Sequence, residues 1–437
     1  MEEQKLKVGI LTDKNISFSV HGKYTCNEQE IPENIVHHVA IEDNRIRFQD
    51  KLYDSLSVEA SNDAATFCLK DVTIGVAFHW ERKNDQYFLG NLQFIAHNNE
   101  LIAINIVSIE AYLTCVIASE MSAAASLEFL KAHAVISRSW LLAQIEKSKK
   151  LTDNKIVQQA IYQTEDTYIR WYDREDHLLF DVCADDHCQR YQGISQVRSL
   201  SAKQAVEDTC GQVLVYDGTI CDARFSKCCG GMTEEFQHVW EPSEYPYLKA
   251  KVDNSDAFEQ NLKEEANAEK WIRNAPEAFC NTTDVNILSQ VLNDFDQETM
   301  DFYRWKVIYT QKELSELIKK RSGFDLGEIV DMIPVERGES GRLIRLKIIG
   351  TKQTMTFGKE LEIRRTLSES HLYSSAFVVD KKDVENGIPQ QFILTGAGWG
   401  HGVGLCQIGA AVMGENGYNY VDILTHYFTN ASIEKRY

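Results

Sequence analysis

The chain lacks a membrane-spanning run: the apolar stretch 101–109 stops at Glu110, and a helical span needs about 20 residues. It is also short of positive charge. Lys and Arg number 46 against 65 Asp and Glu, a net charge of -19 with no basic run, which argues against a nucleic-acid partner. The opening Met-Glu-Glu-Gln-Lys leads straight into a strand-like Val8 to Leu11. A charged segment, apolar core and small-residue cleavage site are all missing there, so the sequence predicts no signal peptide. Internal repeats and low-complexity linkers are absent too. An even disulfide framework is the last thing lacking. The 11 cysteines are odd in number and scattered, which reads as reduced thiols plus a metal site in a reducing compartment.

What is present is a soluble globular composition, 43% hydrophobic and 25% charged over 437 residues, long enough for two or three domains. Up to about residue 105, short alternating runs such as Ile16 to Val20 and Thr73 to Phe78 predict strands. From Ser108 the period changes: Ile109, Tyr112, Leu113 and Val116 recur at helical spacing as far as a break at Ser119 to Met121. A second helical run over about 124–148 carries Leu127, Leu130, Ala134 and Leu141 on one stripe. The 253–298 stretch is acidic and reads as a helical or partly ordered insertion. Thr310 opens a helix-capping pattern, and strands fill 328–380. The fold expected is α+β: a β-rich N-terminal lobe and a mixed α/β catalytic lobe with a cleft between. The divisions are 1–105, 106–252, 253–327 for the acidic insertion, and 328–437.

Three segments carry chemistry. His177, Cys183, His187 and Cys188 put two imidazoles and two thiols within twelve residues, a donor set suited to tetrahedral zinc at low loop-closure cost. Four protein ligands would close the coordination sphere and make the site structural. Two buried cysteines and two surface histidines remain the alternative. Glu120 lies at the junction of the two helical runs, where partial desolvation suits a carboxyl to general-acid work. The same position also suits an ordinary helix-end residue. Lys131 and Arg138, seven apart on the second run, share a face that could meet an anionic or polar ligand. Near the end, Gly396 to Gly404 holds five glycines in nine residues around His401 and then runs into a helix, letting backbone N–H groups approach a ligand. The pattern is not that of a nucleotide-binding loop.

Four stretches in this order resemble the SpoIID/LytB family: Glu110 to Met121 with the helix positions Leu130 to Trp140; Val182 to Tyr191; Phe225 to Glu234; and Gly398 to Ala410 followed by Ile423 to Phe428. The resemblance implies a lytic transglycosylase that cleaves peptidoglycan glycan strands between N-acetylmuramic acid and N-acetylglucosamine, favouring strands without stem peptides. By position, Glu120 would be the catalytic acid, and Lys131, Arg138, His401 and Gln407 would meet the glycan. His177, Cys183, His187 and Cys188 would hold a structural zinc. Asp181 and Asp185 are candidate second carboxylates should water be the acceptor. The resemblance also implies a cell-envelope location and, as an alternative, a non-catalytic glycan-binding enhancer of a partner N-acetylmuramoyl-L-alanine amidase. A zinc hydrolase using His401 is a third reading. Relative to the family pattern, Ser122 replaces a proline, and Cys228, Cys229 and Cys406 stand where small hydroxyl residues are commoner.

Overall fold

The structure is a computed structural model that describes residues 4–75, 81–122, 124–154, 160–172, 177–185, 187–197, 200–254, 260–291 and 301–437. It is α+β, in two compact units. Unit 1 comprises 1–141, 177–213 and 435–437; unit 2 comprises 142–176 and 214–434.

Unit 1 is built on two antiparallel sheets, as the alternating runs predict. The seven-stranded sheet runs in the order Val182–Cys183, Lys5–Asp13, Glu100–Ser108, Asn91–His97, Ser55–Ala60, Tyr24–Cys26 and Gln29–Glu30. A six-stranded sheet holds Arg82–Leu89, Thr66–Ile74, Asn15–His21, His37–Glu42, Arg45–Phe48 and Lys51–Tyr53. Inward-pointing residues of the two sheets meet, as where Phe18 packs on Phe94 at 5.5 Å between ring centroids. Phe18, Phe67, Phe88 and Phe94 are fully buried, each contributing roughly 1.5–3 kcal/mol of apolar burial. The edge strand Val182–Cys183 is the exception to antiparallel pairing. It runs parallel to Lys5–Asp13, with Gly9 opposite Cys183, and thereby fixes the metal-type segment to the sheet.

Helix α1 (Ile109–Glu120) begins where the last long strand ends, because the Ser108 hydroxyl accepts the Ala111 N–H, an N-cap interaction. The four apolar residues read at helical spacing are all buried. The helix stops at Met121, whose extended backbone (φ -119°, ψ 151°) breaks the turn, so Glu120 is the last helical residue. Helix α2 (Leu127–Asn154) follows, its residues up to Leu141 belonging to unit 1.

Unit 2 contains a five-stranded sheet in the order Ile161–Gln163, Thr167–Arg170, Thr354–Gly358, Leu343–Gly350 and Ile329–Arg337. A three-stranded sheet pairs Arg304–Thr310 and Phe377–Glu385 with Ile388–Ala397. Both contribute to one core that includes Trp305, Leu346, Phe357, Phe377 and Phe392. The helix Gln311–Ser322 has the capping box expected at Thr310, its hydroxyl accepting the Glu313 N–H while the Glu313 carboxylate accepts the Thr310 N–H. The acidic region supplies two helices, Glu265–Asn274 and Val285–Val291. Trp271 and Ile272 of the first are buried in a cluster with Ala376, Val378 and Ala397.

Candidate functional site

In unit 1 the segment 177–192 is the organising element. Its strand is locked to the first sheet strand by Asp181 N–H to Lys7 O and Ala184 N–H to Gly9 O, both 3.0 Å. Beyond Cys183 the chain turns back on itself: the Cys188 N–H reaches Asp185 O and the Tyr191 N–H reaches Ala184 O, again both 3.0 Å. That bend is what brings adjacent His187 and Cys188 to the same point. Ligand atoms of His177, Cys183, His187 and Cys188 all lie within 4.8 Å of one another. Cys188 Sγ is 3.4 Å from His177 Nε2 and 3.6 Å from His187 Nδ1. A tetrahedral zinc with Zn–S of about 2.3 Å and Zn–N of about 2.0 Å would separate sulfur and nitrogen by about 3.6 Å. The geometry fits a mononuclear ion.

The surroundings fit it as well. Cys183 is held far below the usual thiol range, first by hydrogen bonding from Cys188 and then from His177 and His187, against the opposing effect of burial. The His177 ring packs on Phe180 at 4.6 Å, and Phe180 lies over Gly9, where a Cβ would come within 2.6 Å of the ring. Tyr112 from α1 is fully buried, and its hydroxyl has no hydrogen-bond partner among the described residues. Burial, then the nearby Cys188, Cys183 and Glu120, hold that phenol far above its ordinary pKa. A buried donor without an acceptor is costly, and thiolates held by a metal would supply acceptors beside it.

Glu120 is 9% exposed, and its Oε1 accepts the Arg190 N–H at 3.0 Å. One residue earlier, the Ser119 hydroxyl accepts the Gln192 N–H at 3.2 Å. The end of α1 is thus stitched to the stretch that follows the thiol–imidazole cluster. That stretch lines a small solvent-open cleft whose walls include Ile74, Gln86, Asp185, Arg190, Tyr191 and Gln192. Asp181 is exposed and accepts the Lys7 N–H at 2.8 Å, whereas Asp185 faces the cleft.

The remaining sequence candidates have other surroundings. Arg138 is completely buried rather than on an open helix face. Its Nε and Nη2 donate to Glu110 at 2.9 and 2.6 Å, and Nη1 donates to Gln212 O at 3.0 Å. Glu110 also accepts from Gly211 N–H and from the Tyr437 hydroxyl. Lys131 is paired with Glu128 at 3.2 Å and Asp208 at 3.0 Å. His401 belongs to unit 2. Its Nδ1 accepts the Val403 N–H at 3.0 Å, the ring packs on Trp240 at 4.8 Å, and burial, with Arg224, Arg342 and Arg364 adding, holds it well below the usual imidazole range. Gln407 is buried at the first position of the helix Gln407–Glu415.

Sequence reasoning missed a second group of ligand-type side chains, Cys229, Asp253, Cys280 and Cys406, all buried in unit 2. Local spacing gave no sign of it. The only hint was thiols at 229 and 406 where the resemblance favours hydroxyls.

Residues 97–216 match the family described as Stage II sporulation protein (SpoIID), and residues 234–404 match a domain of unknown function, DUF8618. The chain is 28% identical over 346 residues to an uncharacterized protein of Brachyspira hyodysenteriae, covering 79% of this chain and 72% of that one. It is 26% identical to the amidase enhancer of Bacillus subtilis, with 73% of this chain aligned to 39% of the enhancer's length. It is 23% identical to stage II sporulation protein D of Bacillus amyloliquefaciens, covering 75% of each. The chain therefore carries a SpoIID domain and is distantly homologous to amidase enhancer and stage II sporulation protein D.

Proposed function

We propose that this SpoIID-domain chain cleaves the glycan strands of peptidoglycan, with Glu120 as the acid and base and a structural zinc held by His177, Cys183, His187 and Cys188. The observation that carries this reading is the sheltered Glu120 carboxyl at the end of α1. It is hydrogen-bonded to the backbone of the same segment that gathers the four metal-type ligands and lines the cleft.

One carboxyl suffices for the reaction. Protonated Glu120 gives its proton to the glycosidic oxygen as the bond to C1 of N-acetylmuramic acid breaks, releasing the N-acetylglucosamine hydroxyl. The resulting carboxylate takes the proton from the same sugar's C6 hydroxyl, and O6 bonds to C1, closing a 1,6-anhydro ring and restoring the acid. Water in place of O6 would give hydrolysis, for which Asp185 on the cleft wall is a candidate second carboxylate. Bound by His177, Cys183, His187 and Cys188, a zinc ion would be fully ligated and would lend the bend rigidity. Within this reading Lys131 and Arg138 act through their ion pairs, as positioning residues for α2. His401, packed on Trp240, and buried Gln407 belong to unit 2 and carry no step of this scheme.

The deciding experiment is mass spectrometry of peptide-free glycan incubated with the protein. Anhydro-muramic ends from the wild type, and their loss by about 10²- to 10⁴-fold in Glu120→Gln, support the reading. Equal product from Glu120→Gln ends it. The similarity to an amidase enhancer favours a second reading, a glycan-binding subunit without cleavage. That reading predicts no soluble fragments at any protein concentration, together with stimulation of an added amidase.

A further inference from the structure

We propose a second structural zinc site, inside unit 2, with Cys229, Cys280 and Cys406 as thiolate ligands and Asp253 as the fourth. The four side chains come from well-separated parts of the chain, yet their ligand atoms all lie within 4.8 Å of one another. Cys229 and Cys280 sulfurs are 3.6 Å apart. A tetrahedral ion with Zn–S of about 2.3 Å sets its sulfurs about 3.7 Å apart, whereas a disulfide needs about 2.05 Å. The spacing fits a single ion.

Each ligand is delivered by a specific piece of backbone. The Phe225–Ser226 strand pairs in parallel with Leu405–Cys406, and Cys228 bridges Trp399. Together these set Cys229 beside Cys406. Asp253 is placed by its N–H to Gly231 O at 3.0 Å, and Phe279 N–H to Asp253 O at 2.7 Å brings Cys280 alongside. Gly409, one turn into the helix Gln407–Glu415, leaves the space the carboxylate occupies: a Cβ there would come within 2.6 Å of Asp253 Oδ1.

The hydrogen bonds around the group are those of a metal's outer shell. The Cys229 N–H points at Cys406 Sγ (3.2 Å), the Cys280 N–H donates to Asp253 Oδ2 (2.9 Å) and the Tyr427 hydroxyl donates to Asp253 Oδ1 (2.6 Å). Outer-shell donors of this kind fix ligand orientation. Cys406 is also the N-cap residue of a nine-residue helix, where a thiolate is favoured by the helix dipole. All four side chains are at most 3% exposed. Burying a carboxylate among sulfurs is expensive without a cation, and a soft, thiolate-rich tetrahedron selects zinc. With no solvent access and four ligands the site is structural. It would join the 253–280 stretch to the start of the helix bearing Gln407. The inference does not depend on the glycan chemistry above.

The test is zinc content by plasma mass spectrometry on the full chain purified under reducing conditions. Close to two zinc ions per chain are expected in the wild type, and one each in the double variant Cys183→Ala/Cys188→Ala and in Cys280→Ala. The double variant removes both thiols of the unit 1 cluster and leaves the unit 2 ligands untouched, so it decides the matter even if Cys280→Ala fails to fold. Cobalt reconstituted into the double variant should give a thiolate-to-cobalt charge-transfer band. Metal-free double variant with no such band overturns the proposal, as does a Cys229–Cys280 disulfide in non-reduced peptide maps of freshly purified protein.

Discussion

The two cysteine clusters are opposite solutions to gathering four ligands. In unit 1 the ligands come from one bend of twelve residues, and they are partly open to solvent. In unit 2 the cluster is sealed and its members lie far apart in the chain; Cys229 and Cys406 are separated by 177 positions. A local cluster needs only a hairpin-like bend and can form as soon as its own strand pairs. A dispersed one requires most of the surrounding fold to exist first. The first is therefore suited to orienting a short segment beside a carboxyl. The second is suited to holding a fold together.

The contrast is broken most directly by removing one ligand from each cluster. Asp253→Ala strands the Tyr427 hydroxyl and the Cys280 N–H in a sealed interior, and urea titration should show a loss of about 3–5 kcal/mol. Cys188→Ser, in the half-open bend, should cost about 1–2 kcal/mol in the same assay. Equal losses would remove the distinction between local and dispersed. Arg138→Met probes unit 1 away from either cluster. It leaves Glu110 without its buried partner, and about 3 kcal/mol of stability should go. The KM for glycan should stay unchanged; a large KM rise with stability intact would return Arg138 to the substrate.

The smallest effect is with pH, at Glu234 and His238 of unit 2. Burial raises the Glu234 carboxyl, but His238 at 2.7 Å and the Ser340 hydroxyl outweigh it and hold the group below its usual range. Burial lowers His238, while Glu234 and then Glu235 outweigh it and Lys263 opposes them, so the imidazole lies above its usual range. Stability from the carboxylate is present above its unfolded value near 4.5 and lost as pH falls through the folded one. Stability from the imidazolium is full below about 6.5 and lost as pH rises through the folded value. Unfolding midpoints should therefore peak between the two, and His238→Gln should flatten the alkaline side.

Legibility followed the range of the interactions. Helix α1, its end at Glu120, the capped helix at Thr310 and the thiol–imidazole bend were readable, because each is decided within one or two turns of chain. Arg138 was not: its spacing from Lys131 indicated a face turned to a polar ligand, while its partner Glu110 lies 28 residues earlier on another helix. The acidic stretch from 253 was read as an insertion on composition. Charge density hid the fact that Asp253 and Cys280 point inward, which only the pairing of distant strands decides.

Gly9 has a reach that its position conceals. The absence of a side chain there lets the Phe180 ring lie flat against the first strand, and that ring supports His177. One added methyl group would be relayed through a benzene ring to an imidazole some 170 positions downstream. Genetic variation at the amino end of this chain can thus masquerade as a lesion in the thiol–imidazole bend.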